Sequence, residues 1–231
     1  MAKALVVEDA PEYRELLVAL LERSGFEVSA AQDGEAALEL ARSEAPDVVL
    51  LDVELPGIDG VEVCRRLRTF SDVYVVMLTA RSDEVDKLVG LSIGADDYVT
   101  KPFSGRELIA RVNAMMRRPR GGGSDSGVET VVIGDLEVDL PAQQARLAGE
   151  ELDLTRLEFE LLRVLAENPR LTLSRQTLLD HVWGESWFGD PHVVDVHISN
   201  LRRKLGDEPS NPRYVKTVRG FGYRLGEGDQ D

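Results

Sequence analysis

The sequence predicts an α/β domain with a doubly wound five-stranded parallel sheet, followed by an α+β winged helix-turn-helix domain. Three observations lead to this fold class. Short Val-rich runs alternate with amphipathic segments in the first half of the chain. A Gly-rich segment then interrupts the chain. Beyond it, short alternating runs precede three helical segments and a terminal pair of strand-like runs.

Five short apolar runs in the first half are expected to be strands. They are bounded by polar or turn residues and are mostly rich in Val, as buried parallel strands are. The runs are Ala4–Val7, Glu27–Ala31, Val48–Leu51, Val73–Leu78 and Tyr98–Thr100. Amphipathic stretches follow at 11–25, 34–45, 61–70, 84–94 and 105–118. Five such β–α units argue for a doubly wound parallel sheet.

The break between the domains is predicted from the segment RRPRGGGSDSG at 117–127. Three consecutive glycines with Ser, Asp and Pro bury little apolar surface and behave as a flexible linker. We therefore expect a first domain over 1–118, a linker over 119–129 and a second domain over 130–227.

The second domain has the pattern of a winged helix. Residues 130–154 contain short alternating runs broken by Gly-Asp, Pro-Ala and Gly-Glu, which predicts a small antiparallel sheet. Thr155 and Glu158 have the spacing of a capping box at the start of a helix. Two further helical patterns and two short strands around a Gly-rich turn complete the domain.

Composition limits the class of protein. The net charge of −15 favours solubility and disfavours indiscriminate binding to nucleic acid or acidic membranes. Cys64 is the single cysteine, so no internal disulfide is expected, which fits a reducing compartment; we expect it to be buried. The N-terminus lacks a signal-peptide pattern and no run approaches the ~20 apolar residues of a membrane span. These features predict a cytoplasmic protein.

Acidic residues follow two strands that are expected to be neighbours. Glu8 and Asp9 follow the first strand, and Asp52 follows the third. In one common doubly wound order these strands are adjacent, and ligands bind at their carboxyl ends. Three crowded carboxylates repel one another unless one is protonated or a cation joins them. Mg²⁺ is the natural partner, held by Asp9, Asp52 and a backbone carbonyl near Glu54, with Glu8 acting directly or through water.

The other strands of the predicted sheet also end in polar residues. Thr79 would contribute a hydroxyl and Lys101 an ammonium group at the same edge. A metal ion, a hydroxyl and an ammonium around one exposed carboxylate suit a phosphoryl group. Asp52 is then the candidate nucleophile, since carboxylates form aspartyl-phosphates.

These motifs resemble a known family. The first domain resembles the receiver domain of two-component response regulators, a flavodoxin-like fold, in VVEDA, LLDVELPGIDG, MLTAR and GADDYVTKPFSGRELIARVNAMMRR. The second resembles the winged-helix output domain of the OmpR/PhoB type in TRLEFELLRVL, VVDVHISNLRRKLG and VRGFGYRL. The resemblance covers nearly the whole chain, with the motifs in the order of the family.

The resemblance implies a phosphorylated aspartate. Asp52 would accept a phosphoryl group from a phosphohistidine on a sensor histidine kinase. Mg²⁺ would be bound by Glu8, Asp9, Asp52 and the backbone carbonyl of Glu54. An acid at position 54 is less typical of the family, and we expect it to alter the lifetime of the phosphorylated state.

The resemblance also implies a switch. Thr79 and Lys101 would contact the phosphoryl oxygens, and Tyr98 would rotate inward when Thr79 moves. The Lys101–Pro102 peptide bond would be cis. The implied regulator is not an enzyme but a transcription factor controlled by phosphorylation.

The segment from 87 to 118 is dense in both charge signs. Residues alone leave open a solvated face with local ion pairs, each worth under ~1 kcal/mol. The resemblance favours a symmetric homodimer formed on phosphorylation, in which each pair is used twice. Lys87 would then meet Glu107 of a second chain, and Asp97 would meet Arg111.

A basic region of the second domain is the candidate DNA-binding surface. Residues 196–224 carry seven basic and two acidic residues, a local excess opposite to the net charge. Within 193–206 an apolar stripe at i, i+4, i+7, i+11 spacing is expected to face the core; its members are Val194, Ile198, Leu201 and Leu205.

The remaining residues of this helix are expected to meet double-stranded DNA. Val196, His197, Asn200, Arg203 and Lys204 lie largely outside the apolar stripe. In the major groove Asn can pair with adenine and Arg with guanine.

Two further groups of residues complete the predicted DNA contacts. Arg202 and Lys204 are expected to contact phosphate. Thr217 and Arg219 lie in the predicted wing, where Arg219 at a tight Gly turn suits a neighbouring minor groove.

The loop over 185–192 has two interpretations. In the family it can contact RNA polymerase, and here it carries Trp187 and Phe188 with nearby acids. It can equally be an ordinary loop with both aromatic side chains packed inward.

Two other functions compete with that of a transcription factor controlled by phosphorylation. Asp52 followed two residues later by Glu54 superficially resembles a haloacid-dehalogenase-type hydrolase, although the second acid there is normally Asp and no substrate cap is visible. The other is a constitutive DNA-binding protein with a degenerate receiver, and the intact set of Asp9, Asp52, Thr79 and Lys101 argues against it.

Overall fold

The structure, a computed structural model, describes residues 1–80, 91–116, 130–185, 187, 189–208 and 210–228. Its contacts divide the chain into two compact units, Met1–Met116 and Arg117–Asp231. The predicted linker and both of its boundaries fall within 117–129, outside the described residues. Each unit is therefore described by itself.

The first unit is built on a five-stranded parallel sheet in the order β2-β1-β3-β4-β5. The central strands β1, β3 and β4 are almost wholly apolar and buried because helices cover both faces of the sheet. This order makes β1 and β3 neighbours, as predicted. The strands are β1 (Ala2–Val7), β2 (Phe26–Ala31), β3 (Val48–Asp52), β4 (Tyr74–Thr79) and β5 (Asp97–Thr100).

Four helices of the first unit lie within the described residues: α1 (Pro11–Arg23), α2 (Gly34–Glu44), α3 (Gly60–Leu67) and α4 (Gly105–Met116). Local chemistry sets where they begin. α1 has Pro at its first position, while Asp33 and Asp59 cap α2 and α3 by accepting backbone N–H bonds. Most of the helix predicted over 84–94 lies outside the described residues.

The second unit begins with an antiparallel sheet of β6 (Thr130–Ile133), β7 (Leu136–Asp139), β8 (Gln144–Leu147) and β9 (Glu150–Glu151). Three helices follow, α5 (Arg156–Glu167), α6 (Arg175–Val182) and α7 (His192–Lys204). The capping box of Thr155 and Glu158 is confirmed at the start of α5. A terminal hairpin of β10 (Val215–Val218) and β11 (Gly222–Leu225) forms the wing.

The wing is tied to the chain segment before α6. Leu173 and Tyr223 exchange backbone hydrogen bonds of 2.8 and 2.9 Å. Gly222 has φ +145° and lies so close that an added Cβ would be 2.0 Å from the Leu173 carbonyl oxygen. Glycine is therefore required where the wing meets this segment.

No helix among the described residues is long and apolar enough to cross a membrane.

Candidate functional site

Three carboxylates meet at the carboxyl edge of the parallel sheet. Oxygens of Glu8, Asp9 and Asp52 lie within 4.8 Å of one another. Glu8 and Asp52 are buried, whereas Asp9 is exposed. The sheet order explains this arrangement, because Glu8 and Asp9 follow β1 while Asp52 ends the adjacent strand β3.

Lys101 reaches into this acidic pocket from the end of β5. Its Nζ lies 2.7 Å from Glu8 Oε2 and 3.0 Å from Asp52 Oδ2, and 5.0 Å from the ring centroid of Tyr13. Its backbone N–H donates to the Thr79 carbonyl at 2.7 Å. The Lys101–Pro102 peptide bond is cis, which confirms that expectation.

The charges of the acidic pocket shift the pKa values of two of its members. Burial raises the pKa of Glu8; the hydrogen bond from Lys101 opposes this shift, and the charge of Asp52 adds to it. Burial alone would lower the pKa of Lys101, but its bonds to Glu8 and Asp52 outweigh this and leave the pKa raised. Lys101 is thus held as a cation between two carboxylates.

Arg14 fixes the backbone that carries two of the acids. From the first turn of α1, its Nη1 donates to the carbonyl oxygens of Glu8 at 2.8 Å and Asp9 at 2.9 Å. Charge-assisted bonds of this kind are stronger than neutral ones. This role was not predicted, although a cation six residues after the acid Glu8 and near a helix start was visible in the sequence.

Gly60 allows α3 to begin directly against the end of β3. A Cβ added at Gly60 would lie 2.1 Å from the carbonyl oxygen of Asp52. The backbone N–H of Gly60 donates to Val53 at 3.0 Å, which closes the loop after Asp52. Any side chain at position 60 would displace the end of the strand that carries Asp52.

Three other candidate residues lie on β4, on β5 and in the loop after Asp52, at different depths. Thr79 is buried at the end of β4, next to β3 in the sheet. Glu54 is exposed, and its backbone N–H lies 3.3 Å from Asp52 Oδ1. Tyr98 is half-buried on β5 and packs against the apolar core.

The donor set of the acidic pocket suits Mg²⁺. Mg²⁺ prefers oxygen ligands at about 2.0–2.1 Å, so two ligands on opposite sides lie about 4.2 Å apart. The carboxylate oxygens of Glu8, Asp9 and Asp52 already approach this spacing. Lys101 contributes the one nearby ammonium group among the described residues, which leaves three acids against one such cation.

The helix α7 buries more of its surface than predicted. The stripe of Val194, Ile198 and Leu201 is buried as expected, but so are His197 and Asn200, at 1% and 3% exposure. The expectation that His197 and Asn200 lie outside the core is therefore wrong.

The cause is packing on two sides of α7. It contacts both α5 and α6, and the ring of His197 lies 5.5 Å from that of Trp183. Val193, His197 and Asn200 are spaced i, i+4, i+7 and form a second buried stripe beside the first.

The basic side chains of α7 differ in their surroundings. Arg203 is exposed, and Val196 is half-buried. Lys204 Nζ pairs with the buried Glu158 at 2.7 Å. Arg202 donates to the Val215 carbonyl on the wing, so both of these residues predicted to contact phosphate have partners within the domain. In the wing, Thr217 on β10 and Arg219 in the turn after it are exposed.

Comparison with known proteins identifies both halves of the chain. Residues 4–113 match the response regulator receiver domain, and residues 149–225 match the C-terminal domain of transcriptional regulatory proteins. The chain is 47% identical over 224 residues to the DNA-binding response regulator MtrA of Mycolicibacterium smegmatis, covering 97% of this chain and 96% of that protein. The chain belongs to the OmpR/PhoB-type response regulators.

Other relatives agree with this membership. The regulator is 47% identical over 230 residues to the transcriptional regulatory protein CseB of Streptomyces coelicolor, with 96% of each chain covered. It is also similar to the crystal structure of DrrB, a Thermotoga maritima OmpR/PhoB homolog, at 36% identity and a TM-score of 0.52, covering 98% of this chain and 99% of that one. It is a two-component response regulator with a DNA-binding domain that regulates transcription.

Asp97 and Arg111 of the regulator form an ion pair within one chain. The sequence predicted that these two residues pair across two chains of a dimer. Arg111 Nη1 lies 3.1 Å from the Asp97 carboxylate, and both side chains are buried. Arg111 Nη2 also pairs with Glu107 at 2.8 Å on the same helix. Asp97 and Arg111 are thus paired within the chain, while their predicted pairing across two chains stays a prediction; Lys87 lies outside the described residues.

In the loop over 185–192 of the response regulator, the first aromatic side chain is packed inward. Trp187 is buried at 7% exposure, and its ring centroid lies 6.0 Å from that of Trp183. Inward packing is therefore the correct interpretation for Trp187, while Phe188 lies outside the described residues.

Proposed function

We propose that this response regulator is phosphorylated on Asp52 in a Mg²⁺-dependent reaction with the phosphohistidine of a sensor histidine kinase. The observation that carries the proposal is the position of Lys101 Nζ, 2.7 Å from Glu8 and 3.0 Å from Asp52, beside a third carboxylate. This arrangement combines a buried nucleophile, a fixed cation and oxygen ligands for a metal ion. These are the components that phosphoryl transfer needs.

In the proposed reaction a carboxylate oxygen of Asp52 attacks phosphorus. The phosphorus–nitrogen bond of the phosphohistidine breaks, and its electron pair returns to the histidine ring. Lys101 neutralises charge on the phosphoryl oxygens, and the hydroxyl of Thr79 donates to one of them. Bound by Glu8, Asp9, Asp52 and the Glu54 carbonyl, Mg²⁺ would supply the positive charge that stabilises the transferring group.

The phosphoryl group is proposed to act through Thr79 and Tyr98. When Thr79 turns toward the phosphoryl oxygens, it leaves space in the apolar core behind it, and Tyr98 rotates into that space. β4 and β5 are adjacent, with Thr79 opposite Thr100 in the register, so a movement at Thr79 reaches β5 directly. The state of Asp52 is thereby communicated to β5 and to the buried pair of Asp97 with Arg111.

Phosphorylation is proposed to promote a homodimer through Lys87, Asp97, Glu107 and Arg111. Because Asp97 and Arg111 are already paired within the chain, exchanging this pair between two chains conserves the number of contacts and adds little affinity. The pair of Lys87 with Glu107 of the second chain would therefore carry more of the dimer's specificity. A dimer places two winged helices on one DNA site.

DNA recognition is proposed for α7 and the wing, with Val196 and Arg203 toward the major groove and Arg219 toward a minor groove. The exposure of these residues and the basic excess of this region support the proposal. A contact between the loop 185–192 and RNA polymerase remains a proposal from the family, as does a cytoplasmic location. The burial of Trp187 removes one aromatic side chain from that surface.

Incubation of the chain with acetyl phosphate and Mg²⁺, followed by mass measurement, separates the competing functions. A stable phosphoryl adduct that disappears in Asp52→Ala and on chelation of the metal is the expected result. Rapid release of inorganic phosphate without an adduct would favour a hydrolase instead. Absence of both would favour a DNA-binding protein that acts without phosphorylation.

A further inference from the structure

Four side chains join α6, α7 and the wing hairpin. Asp195 in the first turn of α7 accepts a hydrogen bond from Arg175 Nε at 2.7 Å. The same carboxylate oxygen accepts a hydrogen bond from the hydroxyl of Tyr223 on β11. Tyr223 is only 4% exposed. We call Arg175, Asp195, Arg202 and Tyr223 the wing clasp.

Arg202 supplies the second half of the wing clasp. Its Nε donates to the Val215 carbonyl at 2.9 Å, and its Nη2 donates to Thr217 Oγ1 at 2.7 Å. Both acceptors lie on β10, the strand that leads into the turn carrying Arg219. The guanidinium groups of Arg202 and Arg175 also lie 5.6 and 5.3 Å from the centre of the Tyr223 ring.

The wing clasp therefore holds both strands of the wing against α7. β11 is held through the Tyr223 hydroxyl, and β10 through the two acceptors of Arg202. Asp195 and Arg202 are spaced i, i+7, so they lie two turns apart on the same face of α7. A two-stranded hairpin is marginally stable by itself, so such contacts decide its orientation.

Because Asp195 is negatively charged, its role can be tested by whether its removal raises or lowers the affinity for DNA. An acid on a helix that faces DNA repels phosphate, and a purely electrostatic account predicts tighter DNA binding when this acid is removed. If Asp195 instead holds the wing in place, its removal weakens binding despite the lost repulsion. The two accounts predict opposite changes in affinity.

We propose that Asp195, Arg202 and Tyr223 are positioning residues that act on DNA affinity through Arg219 at the tip of the wing. This inference rests on the proposed minor-groove contact of Arg219. It also reassigns Arg202, which the sequence analysis placed on phosphate, to the support of the wing. Neither Asp195 nor Tyr223 was among the sequence-predicted DNA-binding residues.

A double-mutant cycle on the full chain tests the proposal. The probe is a DNA duplex that the wild-type chain selects from a random-sequence library. Asp195→Ala, Tyr223→Phe and Arg219→Ala are each expected to weaken binding about tenfold, the usual scale for one lost Arg–DNA contact. In the Arg219→Ala background, the first two changes are expected to cost less than about twofold further, because the contact they support is already absent.

Tyr223→Phe is the most specific of these variants, because it keeps the ring that both guanidinium groups approach and removes only the hydroxyl. Asp180→Ala is the matched control, since Asp180 is an acid on α6 outside the wing clasp. Its affinity is expected to stay within about twofold of wild type. The thermal unfolding midpoint of every variant is measured in parallel, and Tyr223→Phe decides the result if Asp195→Ala does not fold.

The variant Arg202→Gln distinguishes two roles of Arg202, support of the wing and direct contact with a DNA phosphate. In the Arg219→Ala background, loss of a phosphate contact would reduce the slope of log affinity against log salt by about 0.9. The wing clasp predicts an unchanged slope there. Tighter binding by Asp195→Ala, full additivity with Arg219→Ala, or a reduced slope would overturn the proposal. An Arg219→Ala variant that binds like wild type would refute the underlying wing contact itself.

Discussion

Glu54 is a residue whose backbone and side chain are expected to have separate roles. Its backbone N–H lies 3.3 Å from Asp52, while its carboxylate is exposed beside the acidic pocket. Since only its backbone carbonyl is expected to meet Mg²⁺, Glu54→Ala should change the half-life of phosphorylated Asp52 more than the affinity for Mg²⁺.

Glu54→Gln is the control for charge, because it keeps the size of the side chain. The half-life is measured by the loss of the phosphoryl adduct over time, and Mg²⁺ affinity by calorimetry. Equal half-lives for wild type and Glu54→Ala would rule out a role for this side chain.

Cys64 is buried on α3, and burial raises the pKa of its thiol to about 11. The folded state therefore favours the protonated thiol. The contribution of the protonated thiol to the free energy of unfolding is fully present below the ordinary pKa of about 9, and it is lost as the pH rises through about 11. A two-unit shift corresponds to roughly 2 to 3 kcal/mol.

We expect the difference in unfolding free energy between wild type and Cys64→Ala to shrink by this amount between pH 8 and pH 11. A thiol reagent at pH 8 should modify the native chain slowly and the unfolded chain quickly. A pH-independent difference in unfolding free energy would contradict the raised pKa.

At the level of residues, the sequence predicted contacts that follow from the order of the strands. It did not predict contacts that depend on how side chains pack. The acids after β1 and β3 could be predicted to meet, because the sheet order follows from the β–α pattern. The burial of His197 and Asn200 could not, since an apolar stripe counts only apolar residues and both are polar. The pair of Asp97 with Arg111 within one chain was also not predicted, because the sequence alone does not show that these side chains are neighbours.

The loop between β3 and α3 is the element that orients Asp52. The loop contains Gly57, which has φ +81° and open space around it, and is followed by Gly60, the first residue of α3, which lies against the Asp52 carbonyl. Gly60→Ala should destabilise the fold by more than about 2 kcal/mol and slow phosphorylation of Asp52, because its new methyl group displaces the strand end.

Gly57→Ala is the matched control within the same loop. Its backbone strain should cost roughly 1–2 kcal/mol while leaving the phosphorylation rate unchanged. Unfolding curves and the rate of adduct formation with acetyl phosphate measure the two effects. Equal phosphorylation rates in the two variants would contradict the role given to Gly60.

The elements themselves could largely be predicted. Valine-rich runs defined the central strands because the parallel sheet is buried on both faces, and the observed strands differ from the expected ones by one or two residues at their ends. The capping box predicted the start of α5 because Thr155 and Glu158 satisfy each other's backbone groups. The contacts between α7 and the wing could not be predicted, since they join residues that are 13 to 28 positions apart in sequence.

The whole molecule combines a net charge of −15 with a basic surface on its second domain. In such a protein, DNA affinity depends on local charge, and the rest of the surface disfavours unspecific binding. Pairing two copies would double the basic surface presented to DNA. In the proposed mechanism, phosphorylation therefore controls DNA binding by controlling the dimer.

The proposed dimer predicts a charge-reversal result. Lys87→Glu should weaken dimerisation of the phosphorylated chain, and adding Glu107→Lys should restore part of it by pairing the reversed charges. Sedimentation of the chain with and without acetyl phosphate measures this effect. Unchanged sedimentation of the phosphorylated Lys87→Glu chain would show that these residues do not form the dimer surface.

Phosphorylation of Asp52 is tested most directly by finding which residue of the chain carries the phosphoryl group. After reaction with acetyl phosphate and Mg²⁺, the chain is cleaved with a protease and its peptides are fragmented in a mass spectrometer. We expect a single modified residue, Asp52, and no modification in Asp52→Asn or without a divalent cation. A phosphoryl group on any other residue, or one that persists in Asp52→Asn, would contradict this expectation.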